Sequence, residues 1–125
     1  MNRLLAWSIV ALVIVVGLIW FLLPTEPAEG KLDEFAQCLA SKEVTMYGAY
    51  WCSHCQNEKK AFGSSFQYVP YVECTEQTAL CTQKNVRGFP TWIFPDGRRF
   101  EGETGVTRLS EESLCPLPQA NANPQ

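Results

Sequence analysis

The chain has no basic excess, no internal repeat and no room for a second large domain, and each absence removes a class of function. A net charge of -3 and a pI near 5.1 leave no cationic face to displace counterions, so nucleic acid is not an expected partner. With 125 residues, part of them an apolar N-terminus, a large multi-site enzyme is excluded. Residues 4–23 lack any ionisable side chain. As a helix this run reaches roughly 30 Å, the thickness of a bilayer's hydrocarbon core, so a transmembrane anchor is expected over residues 1–23. Trp7 and Trp20 stand near its ends, as interfacial aromatics do. A buried core helix would have a polar face, and none exists here. A cleaved signal peptide is the rival reading, opposed by the length of the run and by the want of a small-x-small cleavage site in 24–30.

What is present is charge asymmetry and cysteine. Arg3 precedes the run while Glu26 and Glu29 follow it, so the positive-inside rule puts the N-terminus in the cytoplasm. That predicts a single-pass protein of the cell membrane whose folded part lies on the periplasmic or extracellular face. Six cysteines agree with an oxidising compartment, where disulfides persist. Residues 24–30 read as a short polar linker, 31–115 as the folded domain, and 116–125, rich in Pro, Asn and Gln, as a disordered tail.

Within the domain, Leu32, Phe35, Ala36 and Leu39 recur at helical spacing and predict a helix over 31–41. The uncharged, β-branched and aromatic stretch 44–50 predicts a strand buried on both faces. A helix should follow over 52–62, ended by Gly63. Alternation over 66–74 predicts a strand, 76–85 a helix and 91–94 a short strand. Asp96-Gly97 signals a hairpin into 98–101, and Ser110 is the expected N-cap of a last helix. The expected fold is α/β, a four-stranded mixed sheet flanked by helices, with the first two strands parallel across a helical crossover and the last two an antiparallel hairpin.

Chemistry concentrates in Trp51-Cys52-Ser53-His54-Cys55, at the passage from strand to helix. Thiolate is the attacking species, and unpaired N–H groups at a helix N-terminus favour negative charge on Cys52. Cys55, one turn on, is better shielded. Cys52 is therefore the expected nucleophile and Cys55 the resolving thiol, acting through a mixed disulfide. His54 either tunes that pair or is a solvated loop residue, depending on a charge state that sequence does not fix. Tyr50 and Trp51 read as part core, part surface platform. No cofactor beyond the redox-active cysteine pair is expected.

Through MYGAYWCSHCQNEKKAFG and Arg87-Gly88-Phe89-Pro90-Thr91 the chain resembles the thioredoxin-like superfamily. The similarity covers 33–115 and looks closest to the thioredoxin-like domains fused to, or working beside, bacterial homologues of vitamin K epoxide reductase. The resemblance implies a cis bond before Pro90, which would lie against the redox pair and keep metal from it. It also implies that Phe89 backbone groups pair with an extended substrate strand. Without that context Pro90 is a turn proline. Two departures stand out: Met46 occupies the place of an acidic residue that takes a proton from the resolving thiol, and the first strand of the full fold is missing.

Cys74 ends an expected strand and Cys81 lies in the next helix, so a structural disulfide between them would staple that junction; the resemblance supports it with a comparable pair. A zinc site on Cys52, Cys55, Cys74 and Cys81 is disfavoured, because the second spacing is too long for a zinc knuckle. Cys38 and Cys115 are left to each other, although the helices carrying them are expected on opposite faces of the sheet; a partner on another chain is the alternative. The function expected is exchange of disulfides with exported protein thiols, serviced by a quinone-linked membrane oxidase of the vitamin K epoxide reductase type. A thiol reductase of the same fold and a non-catalytic binding module are the alternatives.

Overall fold

The computed structural model describes residues 2–22 and 30–118, and side chains from Trp7 onward within them. Residues 24–29 of the expected linker 24–30, and the part of the expected tail 116–125 beyond Pro118, lie outside the described residues. The elements run α1 (Asn2–Leu22), α2 (Asp33–Ser41), β1 (Thr45–Gly48), α3 (Ser53–Phe62), a 3-10 helix (Gly63–Tyr68), β2 (Tyr71–Glu73), α4 (Thr78–Gln83), β3 (Thr91–Ile93), β4 (Arg99–Glu101) and α5 (Val106–Ser113).

The expected transmembrane helix over 1–23 is corrected. Among the described residues no helix is long and apolar enough to cross a membrane.

The four strands form one mixed sheet in the order β2-β1-β3-β4. β1 and β2 are parallel, in register Met46 with Tyr71 and Gly48 with Glu73; β1–β3 and β3–β4 are antiparallel. Side chains alternate across this sheet as the pleat requires. Met46, Trp92 and Phe94 point into one apolar cluster with Phe35, Ala36 and Leu39 of α2, Phe62 of α3 and Leu109 of α5. Tyr47 points the other way, into a smaller cluster with Cys74 and Cys81 of the α4 side. Trp92, fully buried, is the largest side chain of the core, with the Phe62 ring 6.0 Å away.

That arrangement corrects the expected placement of Cys38 and Cys115. Because α2 and α5 pack into the same cluster, their cysteines meet, and the two form a disulfide with Cα atoms 5.8 Å apart. Leu114, in the left-handed region at the end of α5, turns the chain back toward α2, and the Lys42 ammonium donates to the Ser113 carbonyl beside it. Cys74 and Cys81 form the second disulfide, Cα atoms 5.7 Å apart.

Two expected elements also change. The strand read over 66–74 is a 3-10 helix in its first part, with β2 confined to Tyr71–Glu73. The Ser65 hydroxyl, buried, accepts the Leu32 N–H and holds this turn against the start of α2. Pro70 has no N–H for a ladder, and it contributes only its carbonyl, to Met46 N. Ser110 is not a cap: α5 begins four residues earlier with Gly105 as N-cap, and the Ser110 hydroxyl donates to the Cys115 carbonyl.

Gly105 has no side chain to cap α5, and the acceptor comes instead from α3. The buried Glu58 carboxylate takes the N–H groups of both Thr104 and Gly105 through Oε1, the latter at 2.8 Å. Glu58→Ala should therefore cost about 2–3 kcal/mol, since two inward N–H donors lose a charged acceptor at once. Urea denaturation measures this, and a loss below about 0.5 kcal/mol, the scale of a surface substitution, would deny Glu58 that role.

Candidate active site

Each step of the chain from β1 into α3 serves to place two sulfurs. β1 ends at Gly48, where a Cβ would sit 2.9 Å from Cys55 Sγ and 3.1 Å from the Tyr71 ring; only glycine leaves that space. The following turn is held at three points. Cys52 N donates to Ala49 O (3.1 Å), Tyr50 N to Glu73 Oε1 (3.2 Å), and the Gln56 amide to Tyr50 O (2.9 Å). Cys52 is the N-cap of α3 in extended conformation, and its Sγ accepts Cys55 N–H at 3.3 Å. A sulfur at that position stands at the positive end of the helix dipole.

Both cysteines are present as thiols. Cys52 is buried but for a sliver of its surface, and Cys55 is fully enclosed. Burial, reinforced by the hydrogen bond with Cys52, pushes the Cys55 thiol up to about 12. One sulfur is thus at the rim and the other is a protonated thiol behind it.

The loop before β3 closes the site. The Phe89–Pro90 peptide bond is cis. The Phe89 carbonyl accepts the Cys52 thiol at 3.5 Å, the Pro90 carbonyl accepts Gly102 N at 2.8 Å, and the Thr91 hydroxyl donates to Gly88 O at 2.8 Å. Trp51 meets the Phe89 ring edge to face, centroids 6.0 Å apart. Trp51 and Tyr50 are 61% and 68% exposed, so the turn offers aromatic surface beside the rim sulfur.

His54 points away from the sulfurs. Its Nδ1 lies 2.5 Å from Glu103 Oε1, an exposed pair joined by the Asn57 amide at 2.8 Å. The hydrogen bond from His54, then that from Asn57, hold the Glu103 carboxyl below the usual carboxylate range. The structure therefore brings Trp51, Cys52, Cys55, Phe89 and Pro90 together and sets His54 outward against Glu103. Cys74 and Cys81 are bonded to each other on the opposite side of the sheet.

Sequence reasoning missed Tyr71, Glu73 and Glu103. The Tyr71 hydroxyl donates to Glu73 Oε2 at 2.6 Å, and Glu73 Oε1 also takes Thr75 N (3.3 Å) and the Thr75 hydroxyl (2.8 Å). Burial raises the Glu73 carboxyl, yet these hydrogen bonds, Tyr71 first, hold it below the usual carboxylate range. Nothing local signals any of the three, because each lies sixteen or more positions from Cys55.

Paired thiols capping a helix beside a mixed sheet define a disulfide-exchange class of protein. The thioredoxin family model matches residues 27–114, and the chain belongs to the thioredoxin family. It is 37% identical over 99 residues to thiol-disulfide oxidoreductase LTO1 of Arabidopsis thaliana, covering 72% of this chain and 26% of that protein. It is 32% identical over 77 residues to protein disulfide isomerase-like 2-2 of Oryza sativa subsp. japonica, covering 50% of this chain and 20% of the relative. The chain spans about a quarter and a fifth, respectively, of the two relatives' lengths. Fasciola hepatica thioredoxin superposes with a TM-score of 0.45 at 26% identity, covering 57% of this chain and 76% of the other.

Proposed function

We propose that this domain exchanges disulfides with protein thiols, with Cys52 as the sulfur that joins the substrate and Cys55 as the one that releases it. The observation that carries the reading is their unequal placement: Cys52 Sγ caps α3 at the rim, while Cys55 is enclosed and protonated behind it. A substrate sulfur reaches only the first. The exposed Trp51 and Tyr50 supply an apolar seat for an extended peptide, and Phe89 backbone groups flank it.

The compartment proposed is an oxidising one outside the cytoplasm, and the substrates are exported proteins. Two disulfides that take no part in the exchange support this, since such bonds are rare where glutathione keeps thiols reduced. Oxidising equivalents would then come from a quinone-linked membrane oxidase of the vitamin K epoxide reductase type, and no cofactor beyond the cysteine pair is needed.

Cys55→Ala should trap substrates and that oxidase as mixed disulfides through Cys52, visible as reducible adducts on gels and absent when Cys52 is also replaced. Recovery of no adduct from cells would sink the reading. A Cys52–Cys55 potential near the -120 mV end of the known range supports an oxidant, and one near -270 mV a reductase.

A further inference from the structure

A buried thiol that must ionise needs a route for its proton. Burial foremost pushes the Cys55 thiol up to about 12, so it stays protonated at pH 7 without help. β1 offers no base, because Met46 stands there, fully buried. β2 does offer one. Cys55 Sγ and the Tyr71 hydroxyl both crowd the point above Gly48 where a Cβ would be, 2.9 and 3.3 Å from it, which puts the two groups at most about 6 Å apart. From Tyr71 a 2.6 Å hydrogen bond continues to Glu73, which is half-buried and opens to solvent.

We propose that Tyr71 and Glu73 form the proton exit of Cys55, the thiol passing its proton to the Tyr71 oxygen as Tyr71 passes its own to Glu73 Oε2. The inference rests on Cys55 being the resolving thiol. The Cys55 S–H bond breaks and an O–H bond forms on Tyr71, whose former proton makes a new O–H bond on Glu73 and leaves from there to water. Sulfur keeps the electron pair and attacks Cys52 Sγ in the mixed disulfide. The substrate departs as thiolate with the electrons of the broken S–S bond.

The surroundings suit a relay. Burial, then the hydrogen bond to Glu73, hold Tyr71 in its phenol form, so it conducts a proton without storing charge. Glu73 is held below the usual carboxylate range, so it is unprotonated at neutral pH and passes on to water any proton it takes. The other groups facing the route are Cys52 and Lys59, whose ammonium lies 3.7 Å from the Tyr71 ring centroid and favours the Cys55 thiolate. The edge of Phe66 closes the remaining side.

Dithionitrobenzoate reports the two half-reactions separately, releasing one coloured thiolate when Cys52 attacks and a second when Cys55 resolves. In the reduced protein Tyr71→Phe should slow the second release at least about tenfold at pH 7, the low end of general acid-base effects, while the first keeps its rate. Glu73→Gln is the companion variant: its oxygen still accepts Tyr50 N and Thr75, but its amide presents protons to Tyr71 and blocks the exit. In both variants the deficit should shrink as pH rises toward 9, where hydroxide removes the proton directly; a purely structural defect would persist at every pH. Wild-type rates of second release, or a deficit constant with pH, would overturn the relay. If Cys55→Ala still gives both releases at full rate, the assignment of Cys55 fails and the relay falls with it.

Discussion

Replacing Cys52 with Ser is expected to lower disulfide exchange by at least about a thousandfold, to the uncatalysed background, because a hydroxyl oxygen forms no exchangeable bond with a substrate sulfur. The remaining thiol should not take over. Cys55 is fully enclosed, and burial foremost pushes its thiol up to about 12, so at pH 8 it is protonated and out of reach. Iodoacetamide at that pH should label the folded wild-type protein at Cys52 and leave the Cys52→Ser variant unmodified. The sign of the pH effect is fixed by the direction of the shift: reactivity of Cys55 grows only as pH climbs toward its raised value. Insulin-reduction turnover above a tenth of wild type in the variant, or rapid labelling of Cys55 in the native fold, would remove Cys52 from its proposed role.

The second large effect belongs to stability. Cys38 and Cys115 are 77 positions apart, and closing a loop of that length restricts the unfolded chain by about 4.5 kcal/mol on the chain-entropy relation. The Cys38→Ala/Cys115→Ala double variant should lose about 3–5 kcal/mol in urea denaturation, a large part of what a domain of this size has. Cys74 and Cys81 are only 7 apart, and the same relation gives about 2.3 kcal/mol. The order of the two losses is the test. Equal midpoints for the two double variants would mean that loop length does not govern the contribution of these bonds. Cys115 is almost fully enclosed, so the long-loop bond should also outlast the rim pair under mild reductant.

Both effects trace to features that differ in how far they were legible beforehand. The placement of the cysteine pair was legible: the C-x-x-C was expected where a strand passes into a helix, and Cys52 caps α3 there. Met46 was legible as a missing base, but its replacement was not. Tyr71 stands beside Cys55 at Gly48, and Glu73 beyond it, because β2 lies parallel to β1 in a register that sets Tyr71 opposite Met46 and Glu73 opposite Gly48. The 3-10 helix was misread because 66–74 alternates in polarity, and polarity alone does not reveal that Pro70 delays the ladder. The apolar run at the N-terminus pointed to a membrane span that the described helix does not support.

Sequence alone determined whatever depends on neighbours in the chain: the α3 cap and its Gly63 stop, the Asp96-Gly97 turn, the hairpin, the parallel crossover and the Cys74–Cys81 staple. These follow from backbone sterics and hydrogen bonding over a few residues, or from short connections that restrict topology. Tertiary structure decided the rest. Whether α2 and α5 share a face, and hence whether Cys38 meets Cys115, depends on how the sheet's two sides are filled; Met46, Trp92 and Phe94 gather both helices onto one side. Likewise Glu58 caps a helix other than its own, Glu103 takes His54, and Glu73 takes Tyr50 N through contacts between segments distant in sequence. Such contacts form because burial joins whichever faces fit, a property of the packed molecule that local sequence does not encode.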